Sequence, residues 1–343
     1  MPPKNEKKPT KSNSPGCGLD IGTMNVVSAR RTGSGVETKR MRDAFLDFPL
    51  NAKRTLRMSN VSFVEREDEI LILGDAAMEM ANVFGKEARR PLSDGLISPS
   101  EVDSLEVLGL LISNVLGKPT HKNEVCYFSV PAPPIDRPGK DIIYHTGIFE
   151  RIVSECGYEP YPSNEAMALI YSETAKEGFS GVALSFGAGL VNCALAVNTL
   201  EGLSFAVNRA GDWIDRGAAN SVGSTQARIC AIKEGGIDIN DPQGREQEAI
   251  AFYYKAMIEY SLDHIAKKFK EIQNQFALPK PIPIVVSGGS SMVGGFLDFF
   301  MKVFEKKRKR FPIEISEIRA AKEPLNAVAY GMLIQAMQEY TDD

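Results

Sequence analysis

Gly18-Leu19-Asp20-Ile21-Gly22-Thr23-Met24-Asn25 is a short apolar run that breaks at glycine and resumes as Val26-Val27-Ser28-Ala29-Arg30. A run, a break and a second run read as two strands joined by a tight turn, here with Asp20 at its mouth. The device recurs about 165 residues later, where strand 181–186 meets Phe186-Gly187-Ala188-Gly189-Leu190 and a further strand, 191–197. A third turn, Ser287-Gly288-Gly289-Ser290-Ser291-Met292, follows the apolar strand 283–287 and leads toward a helix. Glycine lets backbone N–H groups approach a polyphosphate closely, and a helix N-terminus adds partial positive charge. A carboxylate beside such a turn cannot take phosphate itself, but it can hold Mg²⁺ through water. Two similar strand-turn-strand units predict an α/β protein of two related lobes facing one cleft.

Working outward, the intervening segments alternate between the two periods. Residues 61–64 and 70–73 read as a strand pair around the charged turn 65–69. Leu105, Leu108, Leu111, Ile112 and Val115 fall at helical spacing over 104–116. Residues 124–130 form a strand stopped by Pro131, Pro133 and Pro134; helices follow over 142–156, 165–176, 249–276 and 322–337. Residues 1–16 hold lysine, proline and serine with Met1 as the sole large apolar side chain, so a disordered tail is expected there.

Composition closes off other classes. At 343 residues the chain exceeds what a single core organises comfortably. A net charge of -4 gives no general attraction to nucleic acid. No apolar run reaches the ~18 residues of a membrane span. The five cysteines are dispersed singly and none of the three histidines is spaced with one for zinc, which fits reduced thiols in a cytoplasmic protein.

Five segments in order resemble the actin-like ATPase superfamily. They are the first turn 18–23, the connecting helix Asn164-Glu165-Ala166-Met167-Ala168, the second turn 185–190, the third turn 286–292, and the closing segment from Glu323-Pro324-Leu325 to Gly331. Segments 74–80, 90–97 and 209–215 make it similar to the bacterial actin-like filament proteins of the MreB and MamK type. The resemblance covers about residues 17 to 338 and implies an actin-like (ribonuclease H-like) fold clasping ATP with Mg²⁺. It implies a first lobe over 17–160, a second over 161–320, and a C-terminal helix, 321–343 with a short tail, that returns to the first lobe.

Matched motif by motif, the resemblance gives Asp20 the water shell of Mg²⁺, and gives Gly22, Thr23, Met24 and Asn25 the phosphates together with Gly187, Ala188 and Gly189. Glu165 matches the family's water-orienting position; a carboxylate facing a γ-phosphate from a helix start can act as general base. Read alone, Glu165 would simply cap its helix. Lys233 and Glu234 resemble the pair that contacts ribose and base; read alone, they are a solvated helix face. Gly288, Gly289, Ser290 and Met292 would cover the adenosine, with Met292 as a soft apolar contact.

The second turn departs from the family, which carries Asp and often Thr where this chain has Ser185 and Leu190. Loss of that carboxylate predicts nucleotide binding that outlives hydrolysis, hence a slow or impaired ATPase. Two functions follow: a filament protein that self-associates head to tail, with adaptor proteins as further partners, or a non-polymerising ATP-binding regulator. Neither requires nucleic acid. The basic run 306–310 reads as a solvated helix end, and Val83-Phe84 is expected to pack rather than touch a membrane.

Overall fold

The computed structural model describes residues 16–59, 61, 63–101, 103–137, 142–274 and 280–340. The expected tail, Gly16 apart, lies outside the described residues, as does the predicted helix end at Phe276.

Two five-stranded sheets organise the chain. The first runs Glu159–Asn164, Val125–Val130, Cys17–Ile21, Asn25–Thr32, Gly35–Arg42. The second, in the same sense, runs Ile315–Ala320, Ile282–Ser287, Gly181–Phe186, Val191–Val197, Leu200–Val207. Each is assembled identically. The central strand turns back antiparallel on its successor (Cys17 opposite Arg30, Val182 opposite Leu195) and pairs parallel with a later strand (Cys17 opposite Cys126, Val182 opposite Ile284). A parallel neighbour needs a long crossover. Helix Ser104–Leu116 lies in the connection before Val125–Val130, and Gly244–Ile272 in the one before Ile282–Ser287.

The first of these helices buries the face that its periodicity predicted, and the second buries a long apolar face of its own. Leu108, Leu111, Ile112 and Val115 pack on Leu19 and Phe128, while Met257, Ile258, Leu262 and Ile265 pack with Val182, Leu184 and Val286. Between the sheets lie Glu165–Glu173 and Ala327–Gln338, joined through Ala166, Ala168 and Met332 with Ala183 and Val285. They cross closely enough that a Cβ on Gly331 would overlap the Ala168 carbonyl, which explains glycine there.

Boundaries moved where local chemistry intervened. The last helix begins at Ala327 rather than at 322, because Pro324 turns the chain and offers its carbonyl to Ser287 Oγ at 3.1 Å. Phe45–Pro49, Glu69–Leu73 and Phe63–Glu65 form a small three-stranded sheet covered by Asp75–Phe84. At the end of that helix Val83 is 71% exposed and Phe84 is 55% exposed, with one ring edge on Phe48 at 5.0 Å. The expected packing of this pair is therefore corrected: the helix turns both side chains largely outward. The basic run 306–310 meets the expected solvated end, with Lys307 on Asp263 at 2.7 Å.

Candidate functional site

The two glycine hairpins close on the same bond. Gly22 N–H donates to Asn25 O at 3.0 Å, and Gly187 N–H donates to Leu190 O at 3.0 Å. Both turns and the third one border a cavity of about 520 Å³ between the sheets. Every residue picked out from the sequence for catalysis or binding lines it, from Asp20 to Met292.

The turns brace one another. Ser290 Oγ donates to Gly187 O at 2.9 Å, Gly211 N–H to the same carbonyl at 3.1 Å, and Asp212 N–H to Ala188 O at 2.8 Å. A Cβ on Gly189 would overlap the Gly95 backbone, so that position admits only glycine. With the carbonyls occupied from behind, the backbone N–H groups of Thr23, Met24, Ala188 and Gly189 have no hydrogen-bond partner among the described residues. Unpartnered amides on two turns that line one cavity are donors of the kind an anion takes. Met292, 54% exposed, flanks the third turn, so it is wall and not core.

Two carboxyl groups sit at the floor. Asp20 Oδ1 accepts from Ser129 Oγ at 2.8 Å, and Ser129 Oγ in turn accepts from Ile21 N–H at 2.8 Å. Burial pushes Asp20 up to about 6 despite that bond. Glu165 is not the cap of its helix: Asn164 Oδ1 takes the N–H groups of Ala166 and Met167 at 2.9 and 3.1 Å, which frees Glu165 for the cleft. Its Oε1 accepts from Ser185 Oγ at 2.6 Å and its Oε2 from Asn192 Nδ2 at 2.8 Å. Both bonds favour the ionised form, yet burial and then the Asp20 charge outweigh them and push Glu165 up to about 8.

A single buried carboxylate with a second one nearby is the donor set that Mg²⁺ accepts when it keeps most of its waters and takes phosphate oxygens. Asp20 has one oxygen engaged by Ser129 and faces the cavity, so the residues fit. A cation there would also lower both raised carboxyl groups. Among the described residues no group of three or more histidine, cysteine, aspartate or glutamate side chains forms an all-protein metal cage.

At the other end of the cavity the two charges read as a ribose pair are already engaged. Lys233 Nζ lies 2.8 Å from both oxygens of Asp215; burial opposes its charge, but the carboxylate prevails and holds it protonated. Glu234 takes Arg42 in a bidentate bond at 2.7 and 2.8 Å, and this bond, first among the causes, lowers its pKa. Arg42 comes from the first sheet and Glu234 from the helix Gln226–Glu234, so the pair spans the cleft. Arg90 spans it again, onto Asp212 at 3.0 Å.

Sequence reading missed Ser129, Arg40 and Arg42 as wall residues, and it missed Asn192, which lies behind Glu165. Asn192 carried a signal: it is the polar residue in the otherwise apolar run 191–197 and is 1% exposed. A polar group buried in such a strand must have partners, and it does: besides Glu165 it accepts Ala132 N–H at 2.9 Å.

Two like-built sheets, a shared cleft and paired glycine hairpins define the actin-like fold. Solved structures agree. A MamK double helical filament aligns with a TM-score of 0.69 at 18% identity, over 93% of this chain and 98% of that one. MreB 5 of Spiroplasma citri bound to AMPPNP aligns at 0.66 and 16%, over 96% and 98%. The ethanolamine utilization protein EutJ from Carboxydothermus hydrogenoformans aligns at 0.57 and 14%, over 96% and 91%. Residues 16–336 match the Volactin family, and the chain belongs to it. No curated protein matches the sequence.

Proposed function

We propose that this protein binds ATP with Mg²⁺ in the cleft, hydrolyses it slowly, and polymerises head to tail into nucleotide-dependent filaments of the cytoplasm. The observation that carries this reading is the set of unpartnered amides of Thr23, Met24, Ala188 and Gly189 on two turns that line one cavity together with Asp20 and Glu165. Neutral or anionic walls alone would reject a triphosphate, whereas fixed N–H donors hold it without added charge. Asp20 then anchors the water shell of Mg²⁺, whose contribution when bound is to neutralise the phosphates and favour in-line attack. Glu165 orients water, and accepts its proton once nearby positive charge brings the carboxylate into its ionised form. Ser185 and Asn192 hold that carboxylate in one rotamer; neither supplies the second negative charge that would place the attacking water more firmly. The slow rate follows from that missing charge.

Lobe closure is the step that links nucleotide to assembly, because a head-to-tail contact which does not close on itself builds a filament. Similar solved structures support the idea, since they include a MamK double helical filament and MreB 5 bound to AMPPNP and to ADP. Ser185 favours one second reading: an adaptor in which ATP only sets the lobe angle for a partner protein. No described helix is long and apolar enough to cross a membrane.

Sedimentation with Mg-ATP, Mg-ADP or no nucleotide, followed by negative-stain imaging of the pellet, tests the proposal. Strands in the ATP pellet are expected. ATP-bound monomers at high concentration would select the adaptor, and failure to bind any nucleotide would end both readings.

A further inference from the structure

Three cationic side chains line the cavity: Arg40, Arg42 and Lys233. Arg42 is spent on Glu234 and Lys233 on Asp215. Arg40 has no ion pair or side-chain hydrogen bond among the described residues and is exposed. Its register places it with purpose. Asp20 pairs directly with Val27, and Val27 pairs directly with Arg40. Directly paired residues project from the same face of a sheet, so Asp20, Val27 and Arg40 stand abreast across three strands. Two strand spacings, about 10 Å, separate the backbones of Asp20 and Arg40. Val27 between them is 1% exposed and packs in a cluster with Ala329 and Leu333 of the last helix, and Asp20, Val27 and Arg40 all line the cavity.

We infer that Arg40 is a phosphate-binding residue of this cleft, which grips the polyphosphate chain on the side away from Asp20 and makes the site selective for nucleotides over nucleosides. The inference rests on the nucleotide reading above and deepens it. Four carboxyl-bearing residues, Asp20, Asp75, Glu165 and Glu234, share this wall with three cations, of which Arg42 and Lys233 are already engaged. A metal ion offsets only part of what a triphosphate adds, and an unengaged guanidinium is the group best suited to take the rest. An ordinary role as an edge-strand charge does not account for the placement. Gly35–Arg42 is an edge strand, and such strands carry cations that discourage pairing with other chains. Lys39 already supplies one on the opposite face; Arg40 alternates onto the cavity face.

Calorimetric titration of the full chain with ATP, ADP, AMP and adenosine, each with Mg²⁺, tests this on the wild type, Arg40→Ala, Arg40→Gln and Arg40→Lys. Arg40→Ala and Arg40→Gln are expected to bind ATP and ADP about ten- to a hundredfold more weakly, with adenosine unchanged. Arg40→Lys should keep part of the affinity, because charge survives while the planar fork is lost. Glutamine and lysine are both long side chains, so their comparison isolates charge even if alanine perturbs the strand. ATP affinity equal to wild type in Arg40→Gln, or an equal loss for adenosine, would overturn the assignment. A wild-type chain that binds none of the four ligands would instead overturn the nucleotide reading, which is a distinguishable result.

Discussion

Ser185 donates its hydroxyl hydrogen to Glu165 Oε1 at 2.6 Å, so the position where the actin-like resemblance implies an aspartate holds a donor to Glu165. Ser185→Asp would put a second carboxylate against a group that burial and Asp20 already push upward. Without a divalent cation, that crowding lowers the melting temperature. With Mg-ATP the added charge faces the cation, and phosphate release is expected to rise by tens to several hundredfold, corresponding to about 2–4 kcal/mol of transition-state stabilisation. A variant with the wild-type release rate would remove the explanation for slow hydrolysis.

Asn192 is oriented by its own bonds. Ala132 N–H must meet the amide oxygen, at 2.9 Å, so the NH₂ necessarily faces Glu165 Oε2, at 2.8 Å. Asn192→Ala is expected to slow single-turnover phosphate release about tenfold to a hundredfold, since a hydrogen bond to a charged group contributes roughly 1.5–3 kcal/mol. Nucleotide affinity should hold, because the amide faces the carboxylate and not the phosphate turns. Equal losses in binding and turnover would assign Asn192 to the fold alone.

Much of this was legible from the sequence, for local reasons. Each of the two glycine hairpins is bounded by its own strands, and helix 104–116 carries its period within thirteen residues, so both were read from neighbours. The cleft-spanning pair Arg42–Glu234 joins residues 192 apart, and no local pattern announces it. Glu165 as a helix cap was the sensible local reading; only the structure assigns that task to Asn164. Phe45–Pro49 and Asp75–Phe84 escaped: the strand divides its side chains between two cores, Phe45 in that of the first sheet and Leu46 and Phe48 in a small separate one, and the helix adds only Ala77 and Ala81 to the latter. What eluded the sequence is the tertiary pairing of polar groups, which hydrophobic periodicity does not encode.

Protonation gives a third test. In the nucleotide-free protein Glu165 titrates near 8 and Asp20 near 6, both above their ordinary values because burial disfavours the charged forms. The folded state therefore binds more protons than the unfolded one between the ordinary carboxylate range and about pH 8. Stability from these groups is complete below the unfolded pKa and is lost as pH rises through the folded one. Melting temperature without nucleotide should fall from pH 5 to pH 8, and Glu165→Gln, which cannot ionise, should flatten the decline. A slope identical in wild type and Glu165→Gln would show that Glu165 is not the titrating group.

Arg42 and Glu234 offer the last and most quantitative test of cleft closure. The pair is bidentate, which favours it, but the side chains are 24% and 43% exposed at the mouth of the cavity. Solvent screening at such a rim limits an ion pair to about 0–1 kcal/mol. Folding stability should hence barely respond to Arg42→Ala, while the rate at which nucleotide leaves, which depends on parting the two sides, should rise by no more than about fivefold. High salt should produce a similar acceleration in wild type and little in the variant, because screening removes only an interaction that is present. Stopped-flow displacement of a fluorescent ATP analogue at two ionic strengths reads both quantities. A variant that remains as salt-sensitive as wild type would transfer the closing role to Arg90 and Asp212, whose 3.0 Å contact has the more buried carboxylate.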